Sequence, residues 1–302
     1  MHVQRTVGTA HPQSNRIGLI KRRSHAPFRA LLSVCVLAAL GFVTSQSAVE
    51  VSPPVLLHEG GLAAPVVSAF NVKNPTGAPL LVRVSLADWH YLANGTPNYL
   101  EPGSLPRSLA PFVTFNPAEV LLEPGAASEV RYTVELPATA EPGSYWGVLF
   151  MEAEDPDPVP GFTLARFSVR VGHVVYVNVP PMAPDGQIVG IFGEPPTAPD
   201  DAYTLQIQYA NTGNAVQRLD GYVELRDGQG QVLFHEELPP LVSLPGDVVG
   251  RTFSVYGPLE PGNYTALVVY NYGDETIDVA ADYPFALEQA LLEPSEATGE
   301  GP

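Results

Sequence analysis

Apolar and polar residues alternate along much of this chain with the period of a half-buried strand. The clearest run sets Val130, Tyr132, Val134 and Leu136 between Glu129, Arg131, Thr133 and Glu135. One face of such a strand meets a core and the other meets water. Leu80, Val82, Val84 and Leu86 alternate in the same way with Leu81, Arg83, Ser85 and Ala87, and that strand runs on to Trp89. Residues 66–72, 112–115 and 120–122 read as further strands. Residues 145–151 are apolar on both faces, as a central strand is. Strands continue over 187–192, 205–210, 222–225, 232–238 and 252–256. No segment carries a convincing helical period, so the pattern predicts an all-β protein.

Two turn motifs punctuate the strands, and each occurs twice. Glu141, Pro142, Gly143, Ser144 and Tyr145 return as Glu260, Pro261, Gly262, Asn263 and Tyr264. Pro124 and Gly125 return as Pro245 and Gly246, again ahead of an alternating strand. Proline presets φ for the first turn position and glycine tolerates the positive φ that follows. Both pairs recur at a spacing of about 120 residues, which predicts a duplicated architecture. Asn74, Pro75, Thr76 and Gly77 are echoed by Asn211, Thr212, Gly213 and Asn214. A tyrosine just after a turn, at the start of a core strand, is where immunoglobulin-like sandwiches place their tyrosine corner. The expectation is therefore two tandem immunoglobulin-like β-sandwich domains, 48–182 and 183–287, with Tyr145 and Tyr264 in the core. Trp89 either plugs the centre of the first core or caps a strand end.

Charge changes the picture at the N-terminus. Six basic residues precede residue 30, and no acidic residue precedes Glu50. An apolar run from Ala30 to Val43 follows, short of the roughly 20 residues that span a bilayer. Small residues at Ser45 and Ser47 suit cleavage before Ala48. Residues 1–47 thus predict a signal peptide, and the chain an exported protein of the periplasm or cell surface. Cys35, the only cysteine, falls inside that segment. The sandwiches would then fold without a disulfide. Nine basic residues would remain against 32 acidic ones, which argues against nucleic acid and anionic membranes as partners. Residues 288–302 read as a disordered acidic tail.

Chemistry is sparse. His58, His90, His173 and His235 show no metal-like spacing, so neither a metal nor a cofactor is expected. No strand–elbow–helix serine motif occurs. Glu152, Glu154, Asp155 and Asp157 form the densest acidic cluster, and Asp274, Glu275 and Asp278 a smaller one. Such loops read as solvated, with calcium binding or glycosidase work as the alternatives. The long run 162–179 stands apart: Phe167, Val169, Val171, Val175, Val177 and Val179 share one face, with His173 among them. A strand of that length bends, switches sheets or exposes part of its apolar row.

The Asn74 turn, the Trp89 strand, Leu122 to Gly125, Val130 to Val134, and Gly143 to Phe150 followed by the long apolar strand resemble the N-terminal domain of periplasmic pilus-assembly chaperones. That resemblance implies an immunoglobulin-like sandwich whose last strand completes a pilin subunit by strand addition. It assigns partner binding to 162–179, through Phe167, Val169, Val171, Val175 and Val177. Lysine at Val171 and Val175 is then expected to abolish binding and spare the fold. In that family a lysine of this strand and an arginine near the first strand anchor the pilin carboxylate; residues 174–180 and 51–54 hold neither. Asn94 and Gly95 before Tyr99, with the proline–glycine steps, are similar to WxL-interacting envelope proteins. The reading is an exported, non-enzymatic protein that binds another envelope or surface protein as chaperone or scaffold. A carbohydrate-active enzyme or accessory module using the acidic loops, and a passive spacer, are its rivals.

Overall fold

A computed structural model of the protein describes residues 49–60, 64–154, 170–198, 201–272 and 278–292, with the backbone alone for Asp278. The expected signal peptide and residues 293–302 of the expected tail lie outside them. Among the described residues the regular structure is all strand apart from one short 3-10 turn, Ala110–Phe112. The all-β reading of the alternation therefore holds.

The first ten strands make two sheets. One runs in the order β1 (Glu50–Ser52), β3 (Val66–Lys73), β8 (Ala127–Val134) and β6 (Val113–Asn116). The other runs β2 (Val55–Glu59), β10 (Arg170–Val179), β9 (Gly143–Glu154), β4 (Leu80–Tyr91) and β5 (Pro97–Leu100), with β7 (Glu119–Leu122) also on β4. Neighbours pair antiparallel, except that β2 lies parallel to β10. The alternation decides what lies between the sheets. Phe70, Val72, Val130, Tyr132 and Val134 come from one side, and Val82, Val84, Tyr145, Leu149, Met151, Val175 and Val177 from the other. Each such side chain, fully buried, contributes about 1.5–3 kcal/mol.

The remaining strands make a second sandwich. Its sheets run β11 (Gly186–Glu194), β12 (Tyr203–Asn211), β15 (Val248–Val255), and β14 (Val232–Ser243), β13 (Gln217–Asp227), β16 (Gly262–Asn271), β17 (Asp278–Leu287). Leu205, Ile207, Tyr209, Leu219, Val223, Leu225, Val268 and Tyr270 fill its centre.

The duplicated motifs do duplicated work. Buried Asn74 donates to the carbonyls of Ala78 and Leu122 and accepts the Thr76 N–H. Buried Asn211 donates to Ala215 and Ser243 and accepts the Gly213 N–H. The N–H of Gly125 then bonds the Asn74 carbonyl at 2.9 Å, and that of Gly246 the Asn211 carbonyl at 3.0 Å. Both glycines have positive φ, 76° and 87°. The Tyr145 and Tyr264 hydroxyls donate to the carbonyls four residues back, of Glu141 and Glu260. These are tyrosine corners.

Trp89 takes neither place foreseen for it. It lies in a separate apolar cluster with Trp146, Val148, Phe150 and Tyr176, closed by Leu244 of the second sandwich. Strand β9 is therefore buried twice, by the core on one face and by the seam between sandwiches on the other. The Trp146 indole N–H donates to the Trp89 carbonyl at 2.7 Å. Beside it, Asn214 of the second sandwich accepts the Ser144 N–H and donates to the Pro142 carbonyl, while Ser144 Oγ accepts the Val216 N–H. The tip of the β4–β5 hairpin reaches β15: a Cβ on Gly250 would lie 1.8 Å from the Ala93 carbonyl oxygen. Only glycine permits that approach.

Candidate functional site

Sheet edges are where this all-β chain can add a strand, because unpaired N–H and C=O groups there seek partners. Strand β10 pairs with β9 along its whole length, from Arg170 opposite Glu152 to Val179 opposite Gly143. On its other side β2 covers it only from Val174, opposite Val55, to Asn178, opposite Glu59. Among the described residues no strand covers the outer edge of residues 170–173. The Val174 N–H points away from β9, to the Pro54 carbonyl. Backbone groups alternate along a strand, so those of Arg170 and Gly172 point the same way. Strand β2 leaves its own far edge uncovered among the described residues, with Val55 49% and Leu57 55% exposed.

The residues expected to meet a partner fall differently. Val175 and Val177 are 2% and 0% exposed, and Val171 is partly buried against the same core. Their face of β10 is the inward one, so they pack the first sandwich and offer no side-chain row to a partner. Lysine at Val175 would bury a charge and unsettle the fold, contrary to the expectation above. Phe167 and Val169 lie outside the described residues. What β10 exposes is backbone, at residues 170–173, and the sequence pattern alone does not distinguish an inward valine row from an outward one.

Strand β2 went unread in the sequence, although Leu56 and His58 alternate with Val55, Leu57 and Glu59. Leu56 packs on the core. His58 Nε2 lies 2.9 Å from the Tyr132 hydroxyl. His173 on β10 is fully buried and stacked on Phe70, ring centroids 4.1 Å apart. Its Nδ1 lies 2.7 Å from the Pro53 carbonyl. A carbonyl only accepts, so Nδ1 carries the proton. Burial pushes both imidazoles below the ordinary histidine value, and for His173 the nearby His58 adds to this while the Pro53 bond opposes it.

The two described carboxylates of the larger acidic cluster are each held by an arginine. Glu152 is 3.4 Å from Arg170 and Glu154 is 2.6 Å from Arg83, which also holds Glu119. Asp155, Asp157, Asp274 and Glu275 lie outside the described residues. No group of three metal-ligating side chains occurs among the described residues, and no helix among them is long and apolar enough to cross a membrane. At the seam a cleft of about 700 Å³ is lined by His90, Arg107, Trp146 and Asp247 among others. The Arg107 guanidinium lies over the Tyr145 ring, 5.5 Å from its centroid.

No protein-family model matches the chain, and no curated protein does. Solved structures similar to it include several chaperones of fimbrial assembly and a PapD-like domain of human CEP192. One belongs to a study of the chaperone–tip adhesin complex in CFA/I fimbriae biogenesis, with 11% identity, a TM-score of 0.43, and 80% of this chain and 99% of that one covered. Another is a chain of the chaperone–tip adhesion subunit pre-assembly complex from archaic chaperone–usher Csu pili of Acinetobacter baumannii, with 11% identity, a TM-score of 0.42, and 77% and 98% covered. A third is the CupB2 chaperone of Pseudomonas aeruginosa, with 14% identity, a TM-score of 0.38, and 79% and 100% covered.

Proposed function

We propose that this chain is an exported, non-enzymatic binding protein that takes up a strand of another envelope or surface protein along β10. Residues 1–47 would be its signal peptide, and 48–182 and 183–287 its two sandwich domains. The observation that carries the proposal is the partial cover of β10: β2 begins only opposite Val174, so residues 170–173 present backbone groups with no strand beside them among the described residues. A partner strand would gain main-chain hydrogen bonds there. Val171, Val175 and Val177 point into the core, so what this edge would offer a partner strand is its backbone.

Arg170→Pro tests it. Arg170 is exposed and its N–H points outward, so proline removes an edge donor without entering the core. Arg170→Ala keeps the N–H and controls for the lost ion pair to Glu152. A tagged wild-type chain, expressed in its own host, should retain one stoichiometric envelope protein, as should Arg170→Ala. Arg170→Pro should lose it while keeping its circular dichroism. Retention by Arg170→Pro at the wild-type level would eliminate strand addition at this edge.

A further inference from the structure

The chain crosses from one sheet of the first sandwich to the other between β1 and β2, at Pro53 and Pro54. Two histidines hold that crossing. His173 on β10 donates through Nδ1 to the Pro53 carbonyl just before β2, and His58 within β2 meets the Tyr132 phenol. The two imidazoles pack around the Tyr132 ring, with centroids at 5.6 Å for His173 and 6.0 Å for His58. With Nδ1 committed to Pro53, His173 Nε2 is buried and has no hydrogen-bond partner. A lone pair tolerates that position at modest expense. A second N–H does not, because it would be a buried cationic donor with no acceptor.

We infer that the His58–His173 pair is an acid-sensitive latch that holds β2 over the outer edge of β10 and releases it on protonation. Among the described residues no carboxylate bonds either imidazole; the Pro53 carbonyl favours the charged form of His173 but is outweighed by burial. From β8 the pair meets the Tyr132 phenol; from β3 the Phe70 ring, with Ser68 in reach of Tyr132; from β9, Leu149 stands opposite His173. The charged groups on these elements are engaged elsewhere. Glu59 bonds Asn178, Glu50 pairs with Lys73, Glu129 with Arg131, and Glu152 with Arg170. Each imidazole sits below its unfolded value of 6.5. The open state therefore binds more protons, and the latch is fully held above 6.5 and weakens as pH falls through and below that value. Each histidine raises the open-to-closed ratio by up to about tenfold per pH unit in that window, and the pair by up to about a hundredfold.

Release would lengthen the uncovered stretch of β10 beyond residues 170–173. That consequence for partner capture rests on the reading above; the latch does not, and it is measured without a partner. Amide exchange of the full chain, followed by NMR at pH 7.5 and 5.0 and corrected for intrinsic rates, reads it directly. The N–H groups of Gly60 and Val174 bond Asn178 and Pro54 across the β2–β10 boundary, and that of Asn211 bonds Asp247 in the second sandwich as a control. Protection at Gly60 and Val174 should fall at least tenfold at the lower pH while Asn211 holds. The double variant His58→Gln, His173→Asn keeps a nitrogen at each bonded position and does not titrate, so its β2 protection should ignore pH. Equal behaviour of all three amides in the wild type, or an unchanged loss in the variant, would overturn the latch. If the variant fails to fold, the wild-type imidazole titration decides. Both pKa values should lie below 6.5, and an ordinary value for His173 would sink the inference.

Discussion

The Asp247 carboxylate of the second sandwich accepts the backbone N–H of Tyr91, the last residue of β4 in the first, at 2.9 Å. The Asp247 side chain is only 9% exposed, with His90 Nδ1 at 3.9 Å. Burial raises its pKa, against the pull of the Tyr91 N–H and His90. Asp247→Ala leaves that N–H without its acceptor at the seam and should lower stability by about 1–3 kcal/mol in urea unfolding. Asp247→Asn keeps an acceptor and removes the desolvated charge, so it should be clearly milder. Equal losses would show that charge, rather than the hydrogen bond, holds the seam.

The two tyrosine corners invite a matched comparison. Tyr145→Phe and Tyr264→Phe each remove one hydroxyl and leave a carbonyl bond unmade, at 3.1 and 2.6 Å respectively. Each should destabilise by about 1 kcal/mol, read as a shift in denaturation midpoint at constant m-value. The ring of Tyr145 stays under Arg107 in the phenylalanine variant, so the cation–π contact survives.

Gly143 is a point where the seam leaves no room. Its φ is +130°, and an added Cβ would lie 2.6 Å from both Arg107 Nη1 and the Asn214 carbonyl oxygen. Gly143→Ala should therefore cost about 1–3 kcal/mol and loosen Asn214 from the Ser144 N–H. Tryptophan emission should shift to the red as Trp146 gains water. An unshifted spectrum with unchanged stability would mean that the loop relaxes freely.

Leu244 is fully buried yet packs outside the core of its own sandwich, among Trp89, Trp146 and Phe150. Leu244→Ala should cost about 2–5 kcal/mol, the range of a core leucine. A loss below about 1 kcal/mol would mark the seam as a loose contact.

The fold was legible where one face of a strand meets water. The alternation about Val130 to Leu136 and the paired Pro-Gly turns each have a single local reading, and the structure follows both. The seam was not legible, because it depends on what lies across from a strand. The apolar row Trp146, Val148 and Phe150 reads as part of a central strand, and nothing within β9 says that its second face is covered by Leu244. The place of Trp89 was hidden for the same reason, since its partners come from neighbouring strands of its own sheet and from Leu244 of the second sandwich. At the candidate site the apolar row of β10 fixed a face but not its direction. Inward valines and a partner-facing row have the same spacing. Strand β2 was hidden by its brevity and by the two prolines before it, though the Pro53 carbonyl just ahead of it gives His173 a partner and explains why a histidine sits in that row.

At the contact between Ala93 and Gly250 the hairpin of one sandwich meets the bare backbone of the other. A side chain at position 250 would have to push the Ala93 loop or β15 aside, so the closeness of the two sandwiches here is set by the absence of a single methyl group.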